Sequence, residues 1–150
     1  MKTGWLMDLS LLMVRGTVGL YLCLAGVAKV GGELQNGIGS FQKGPFTAMQ
    51  PGWLPGWFAA PYGYVLPWAE VLVGALLVLG LVSRVMAAGT FMMLLSFTIA
   101  LAMLHGIDAQ PDGPPGPFSA NYVQIAAAFL LIWTGPGRWS LDGFVFKKRG

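Results

Sequence analysis

LPWAEVLVGALLVLGLVSR, residues 66–84, decides what kind of protein this is. Apart from Glu70 near its start and Arg84 at its end, the run is almost wholly apolar. It has the length of a transmembrane helix, about 20 residues for a hydrocarbon core of about 30 Å. A carboxylate inside such a helix costs about 2.5 to 3.5 kcal/mol on insertion scales at the helix centre. Glu70 therefore needs a partner, and the identity of that partner is the first functional question.

Outward from this run, residues 9–30, 85–105 and 119–137 join 62–82 as stretches of spanning length. The 150-residue chain is 55% hydrophobic and only 10% charged, with a mean hydropathy of +0.65. An ordinary soluble domain carries about a quarter charged residues. The expectation is an all-α integral membrane four-helix bundle, one domain over residues 1–150 with a basic cytoplasmic tail at 138–150. The first run is too long for the h-region of a signal peptide and contains Arg15, so it reads as a retained helix. The longest connection, residues 31–61, is too short to bury a core of its own. Cys23 stands alone, which excludes an internal disulfide or a CxxC pair and leaves a buried core thiol as the simpler reading. One histidine, His105, is too little for a haem or mononuclear metal held by this chain alone. No metal, no cofactor bound by this chain by itself and no nucleic acid are expected.

With four spans drawn, Lys2, Arg84, Arg138, Lys147, Lys148 and Arg149 fall on one side. Lys43 falls on the other, near Glu33, Asp108 and Asp112. The positive-inside rule then puts both termini in the cytoplasm of a multi-pass bacterial inner-membrane protein. Arg84 and Arg138 read as topogenic boundary charges, and the tail KKRG suits an anionic leaflet, so membrane lipids are expected partners. The first external loop gathers Trp53, Trp57, Phe58 and Tyr62 near its end. Such residues favour the headgroup level, which makes this loop a lid lying on the membrane surface. The second, HGIDAQPDGPPGPFS, is too rich in proline for helix. After the stop at Gly135–Gly137, the tail reads as a short amphipathic anchor with Trp139, Leu141, Phe144 and Phe146 toward lipid.

Arg15 and Lys29 lie 14 positions apart in the first helix and so share nearly one face. Gly16, Gly19 and Gly26 lie near that face, where small residues let helices approach. Centring each run in the membrane puts Glu70 between the two cations in depth, about 10 Å from each. Long side chains and helix tilt can close that gap, so Glu70 pairs with Arg15 or with Lys29. In the fourth span Asn121 and Gln124 share a face in the external half, at the level of His105. Lys29, Glu70, His105, Asn121 and Gln124 thus form a candidate polar cluster, with Arg15 a further ligand candidate and Glu70 a candidate proton relay. The competing reading is purely structural. An Arg15–Glu70 pair would set helix registry, Lys29 would snorkel to the headgroups, and His105 would be a loop residue.

Three stretches, LMVRGTVGLYLCLAGVAKV, PWAEVLVGALLVLGLVSRVMA and NYVQIAAAFLLIWTGPGRWSLD, together resemble the DoxX family of small four-helix bacterial membrane proteins. The likeness runs from about Leu11 to Asp142 and rests on the ordered set Arg15, Gly26 to Lys29, Glu70 with Gly74 and Gly80, Arg84 and Asn121. It implies a membrane subunit of a quinone-linked oxidoreductase, in which a quinone or a small sulfur oxyanion is the candidate ligand. Other membrane or periplasmic subunits would then be partners, with a homo-oligomer open. The chain lacks the large extra-membrane domain of the thiosulfate-oxidising relatives, and any redox centre would come from a partner or the quinone itself. A non-catalytic accessory or scaffold subunit is the alternative. A small transporter is the weakest reading, since one buried acid among four short helices leaves little room for a pathway.

Overall fold

The computed structural model describes residues 4–105 and 120–146. The second external loop, Lys2, Lys147, Lys148 and Arg149 lie outside the described residues, as do the side chains of His105 and Phe146. The described residues are all helical or connecting, with no strand among them. Three helices are long and apolar enough to cross a membrane: α1 (Trp5–Asn36), α3 (Gly56–Leu79) and α4 (Ser83–His105), the last counted to Met103. The chain is a helical membrane protein. α2 (Thr47–Met49) is a single turn, and α6 (Leu141–Phe146) is a short helix near the C-terminal end.

α5 (Ala120–Thr134) is apolar but has only 15 residues, which reach about 22 Å. The expected span of 119–137 is thus too long. Gly135 takes φ 77° and its amide donates to the Leu131 carbonyl at 2.9 Å, which closes the helix. α1, α3 and α4 each begin earlier than expected and α1 also runs on past residue 30, whereas α3 stops at Leu79, short of the expected 82. α1 keeps its helical bonds through Gly31 and Gly32 to Asn36, and at 32 residues it is about 48 Å long, more than the hydrocarbon core requires. α3 begins at Gly56, not at 62, because Pro55 sits before its first turn with the extended backbone suited to entering a helix.

The buried residues of α1 are Asp8, Leu11, Arg15, Val18, Gly19, Leu22, Gly26 and Glu33, a stripe of helical period that faces α3 and α5. Glycines fix how α1 meets α3. A Cβ on Gly74 would lie 2.5 Å from the Cys23 amide nitrogen, and one on Gly26 would lie 2.6 Å from that of Val71. The two backbones therefore touch, in the manner of small residues at membrane helix contacts. Gly16 has no heavy atom within 4 Å of a built Cβ and takes no part, contrary to its expected place in the interface.

α3 ends at Gly80, in the left-handed region, where the Leu81 amide donates to the Leu76 carbonyl at 3.0 Å. Val82, a β-branched residue at φ 47°, follows. Its amide and that of Ser83 each donate to the Asp142 carboxylate at 2.8 Å. Asp142 thus caps the start of α4 from the far end of the chain and holds a backbone conformation that valine disfavours. α4 packs on α3 and α5, and α5 also touches α1.

Candidate functional site

The two cations of α1 meet different surroundings. Arg15 is 2% exposed and donates through Nη1 to the Pro136 carbonyl at 3.1 Å and through Nη2 to the Trp139 carbonyl at 2.9 Å. It does not pair with Glu70, which corrects the registry-pair reading. Glu70 instead forms an ion pair with Lys29, so Lys29 is turned inward and does not snorkel. The reason is register. A Cβ on Gly26 would meet Glu70 Cβ, whereas a Cβ on Gly80 would meet Arg15 Nη1. Glu70 lies opposite Gly26, three residues or about 4.5 Å along the axis from Lys29 and eleven residues or about 16 Å from Arg15. Centring apolar runs had placed it midway.

Glu70 has no exposed surface, and the Lys29 side chain is a quarter exposed. The ammonium also sits over two aromatic faces, 5.2 Å from the Phe41 ring centre and 4.9 Å from that of Phe97. Both members of the pair line a cavity of about 520 Å³, within the usual range of about 300 to 1,000 Å³ for small-molecule pockets. Its walls come from α1, α3, α4, the segment before α3 and the start of α5, and they are overwhelmingly apolar and aromatic. Glu70 Oε2 is buried and accepts no hydrogen bond.

Four other polar side chains of the wall are joined in hydrogen-bonded pairs. The Tyr62 hydroxyl and Ser96 Oγ are 2.8 Å apart, joining α3 to α4, and Ser96 also donates to the Met93 carbonyl at 2.7 Å. The Tyr21 hydroxyl donates to Asn121 Oδ1 at 2.9 Å, joining α1 to the start of α5. Asn121 lines the cavity wall. Gln124, one turn on, is half-buried and does not line the cavity. His105 ends α4, and its side chain lies outside the described residues. Arg84 and Arg138 are exposed and line a separate groove at the other end of α1, beside Trp5 and Asp8. Among the described residues no group of His, Cys, Asp and Glu could hold a metal ion.

Residues of the first long connection, from Phe41 to Leu54, line one side of the cavity. That connection is more ordered than its glycine and proline content suggests: a π-helical turn, Gln42–Phe46, runs into α2, with Phe41 and Phe46 buried. The buried Glu33 carboxylate anchors it, accepting the Gly39 amide on Oε2 and the Phe41 amide on Oε1, the latter at 2.8 Å. Gly63 makes room for Phe46, since a Cβ there would lie 2.7 Å from its ring. Phe58 stacks on Tyr62 with ring centres 5.6 Å apart, while Trp57 is 80% exposed.

Sequence reasoning missed Asp8 and Glu33. Asp8 is 4% exposed and accepts the Arg138 amide at 3.0 Å, next to the Arg15 anchor. A signal was present: Asp8, Arg15, Leu22 and Lys29 follow one another at intervals of seven, which places all four on one stripe.

A helical membrane protein with an ion pair on the wall of an apolar cavity is what fold and site define. Residues 7–134 match the family model of methylamine utilisation protein MauE, and the chain belongs to that family. The DoxX resemblance is thereby overturned. Four of the residues that carried it, Gly26, Lys29, Glu70 and Gly74, belong to the α1–α3 contact, which a different helical family can carry too. The chain is also similar to an uncharacterized membrane protein of Mycobacterium tuberculosis, 29% identical over 148 residues that cover 93% of this chain and 83% of the relative. No solved structure matches it.

Proposed function

We propose that this protein is an accessory subunit of a multi-component system of the methylamine-utilisation kind, seated in the bacterial inner membrane. In this reading α1, α3, α4 and α5 make up a four-helix bundle with both termini cytoplasmic. Its cavity receives a lipid-soluble molecule with a hydrogen-bonding head, of which an isoprenoid quinone is the type. Other membrane or periplasmic subunits are its partners.

The observation that carries the reading is the Lys29–Glu70 pair on the wall of a 520 Å³ apolar cavity. A pair serving helix registry alone needs no adjoining volume, and its attraction is strongest where packed side chains keep water away from it. Here it fronts space that an apolar body can fill, with Lys29 as a donor to an oxygen of the head and Glu70 holding the ammonium in place. A small anion fits less well. The lysine charge is already matched by Glu70, and the walls offer apolar surface where an anion needs donors.

Native mass spectrometry of the chain released from mild detergent, with extraction of bound lipids, tests this. A quinone, in its oxidised or reduced form, should accompany the protein and be lost from Glu70→Gln while assembly is unchanged. If Glu70→Gln lowers only yield and melting temperature, and no such molecule accompanies either form, the protein is a scaffold and the ligand reading fails.

A further inference from the structure

Resting on that reading of the cavity, we infer that the Lys29–Glu70 site selects a ring bearing a hydroxyl donor, so that it holds the hydroquinone form of its ligand in preference to the quinone. Glu70 supplies two carboxylate oxygens, and Lys29 engages only Oε1. Oε2 is fully buried, lies on a residue of the cavity wall and accepts nothing from the protein. A buried carboxylate oxygen of this kind favours a ligand that donates to it, because an unmade bond there leaves a desolvated acceptor.

A quinone head has only carbonyl acceptors. It can take a hydrogen bond from the Lys29 ammonium, but it gives nothing to Oε2. A hydroquinone can meet both groups once the Glu70 carboxylate, which has no exposed surface, turns toward the cavity: one O–H then donates to Glu70 Oε2, and a hydroxyl oxygen accepts from Lys29 Nζ. Sites built around a ligand hydroxyl reject the analogue that lacks it far more strongly than apolar pockets reject a change of size. The rings of Phe41, Phe46, Phe58 and Phe97 line the same space and suit a flat aromatic head. An alkylammonium also carries donors, but Lys29 already supplies the positive charge beside Glu70, and no other carboxylate among the described residues lines the cavity. A second cation would be repelled there.

The test uses the wild-type chain in phosphatidylcholine nanodiscs under anaerobic conditions, titrated calorimetrically with four probes. These are a decyl-substituted benzoquinone, its hydroquinone, the hydroquinone dimethyl ether and methylammonium. The hydroquinone should bind at least tenfold more tightly than the quinone and the dimethyl ether, with methylammonium not binding. Equal affinity for quinone and hydroquinone overturns the selectivity while leaving the lipid-soluble ligand in place. Equal affinity for hydroquinone and its dimethyl ether overturns it in the same way, since the donor would then be unused. Binding of none of the ring probes overturns the cavity reading itself, and binding of methylammonium alone replaces it with an amine site.

Discussion

Arg15 and Lys29 sit on one stripe of one helix, two heptads apart, and the protein uses them in opposite ways. Arg15 is closed in by backbone: its guanidinium ties the Pro136 and Trp139 carbonyls to α1, while Asp8 holds the Arg138 amide. Those partners cannot be exchanged without undoing the segment after α5. Lys29 faces a single carboxylate, two aromatic rings and a cavity. A buried cation held by main chain is a fastener, and one held by a side chain beside open volume can meet a ligand. Counting charges in a span does not separate the two; the partner atoms do.

Substitutions that strike each end separately test this contrast. The largest effect belongs to Arg15→Met, which strips two buried carbonyls of their donor and should cost about 3 to 5 kcal/mol. Thermal unfolding in detergent would register it, together with faster proteolysis between residues 135 and 146. Ligand occupancy per folded molecule should hold steady. Gly26→Ala comes next. Its methyl group would press on the Val71 backbone and Glu70 Cβ, an overpacking worth about 1 to 3 kcal/mol. It should weaken ligand binding while leaving residues 135–146 as protease-resistant as in the parent.

Glu70→Gln should cost about 2 kcal/mol, less than Arg15→Met, because the Lys29 side chain is a quarter exposed and can relax outward. Its main signature is a loss of ligand affinity of at least tenfold. The smallest effect is that of Asp142→Asn, about 1 kcal/mol for a weakened helix cap. It should appear as faster amide exchange at Val82 and Ser83, with no change at the cavity.

The membrane class and the positions of the apolar runs could be read from composition and length alone, because burial in lipid demands continuous hydrophobicity. Lys29, Glu70 and Asn121, which line the cavity, could be named as candidates, since buried polar groups in such helices are costly and few. Their pairing could not be read. Register depends on where Gly19, Gly26 and Gly74 let two backbones touch, and centring each span shifted Glu70 by several ångströms toward Arg15. Arg15 was misassigned for another reason: its acceptors are carbonyls, which every residue carries and no sequence marks. Glu33 was taken for a loop charge because α1 runs past the membrane thickness to Asn36, and nothing in GGELQN announces that.

A double-mutant cycle between the two ends of α1 and Glu70 tests the central claim most directly. Lys29→Met and Glu70→Gln, made singly and together, should show a coupling energy of at least about 1 kcal/mol in reversible unfolding, as contacting charges do. Arg15→Met with Glu70→Gln should be additive within about 0.5 kcal/mol, as separated sites are. Coupling of Glu70 to Arg15, with none to Lys29, would contradict the account.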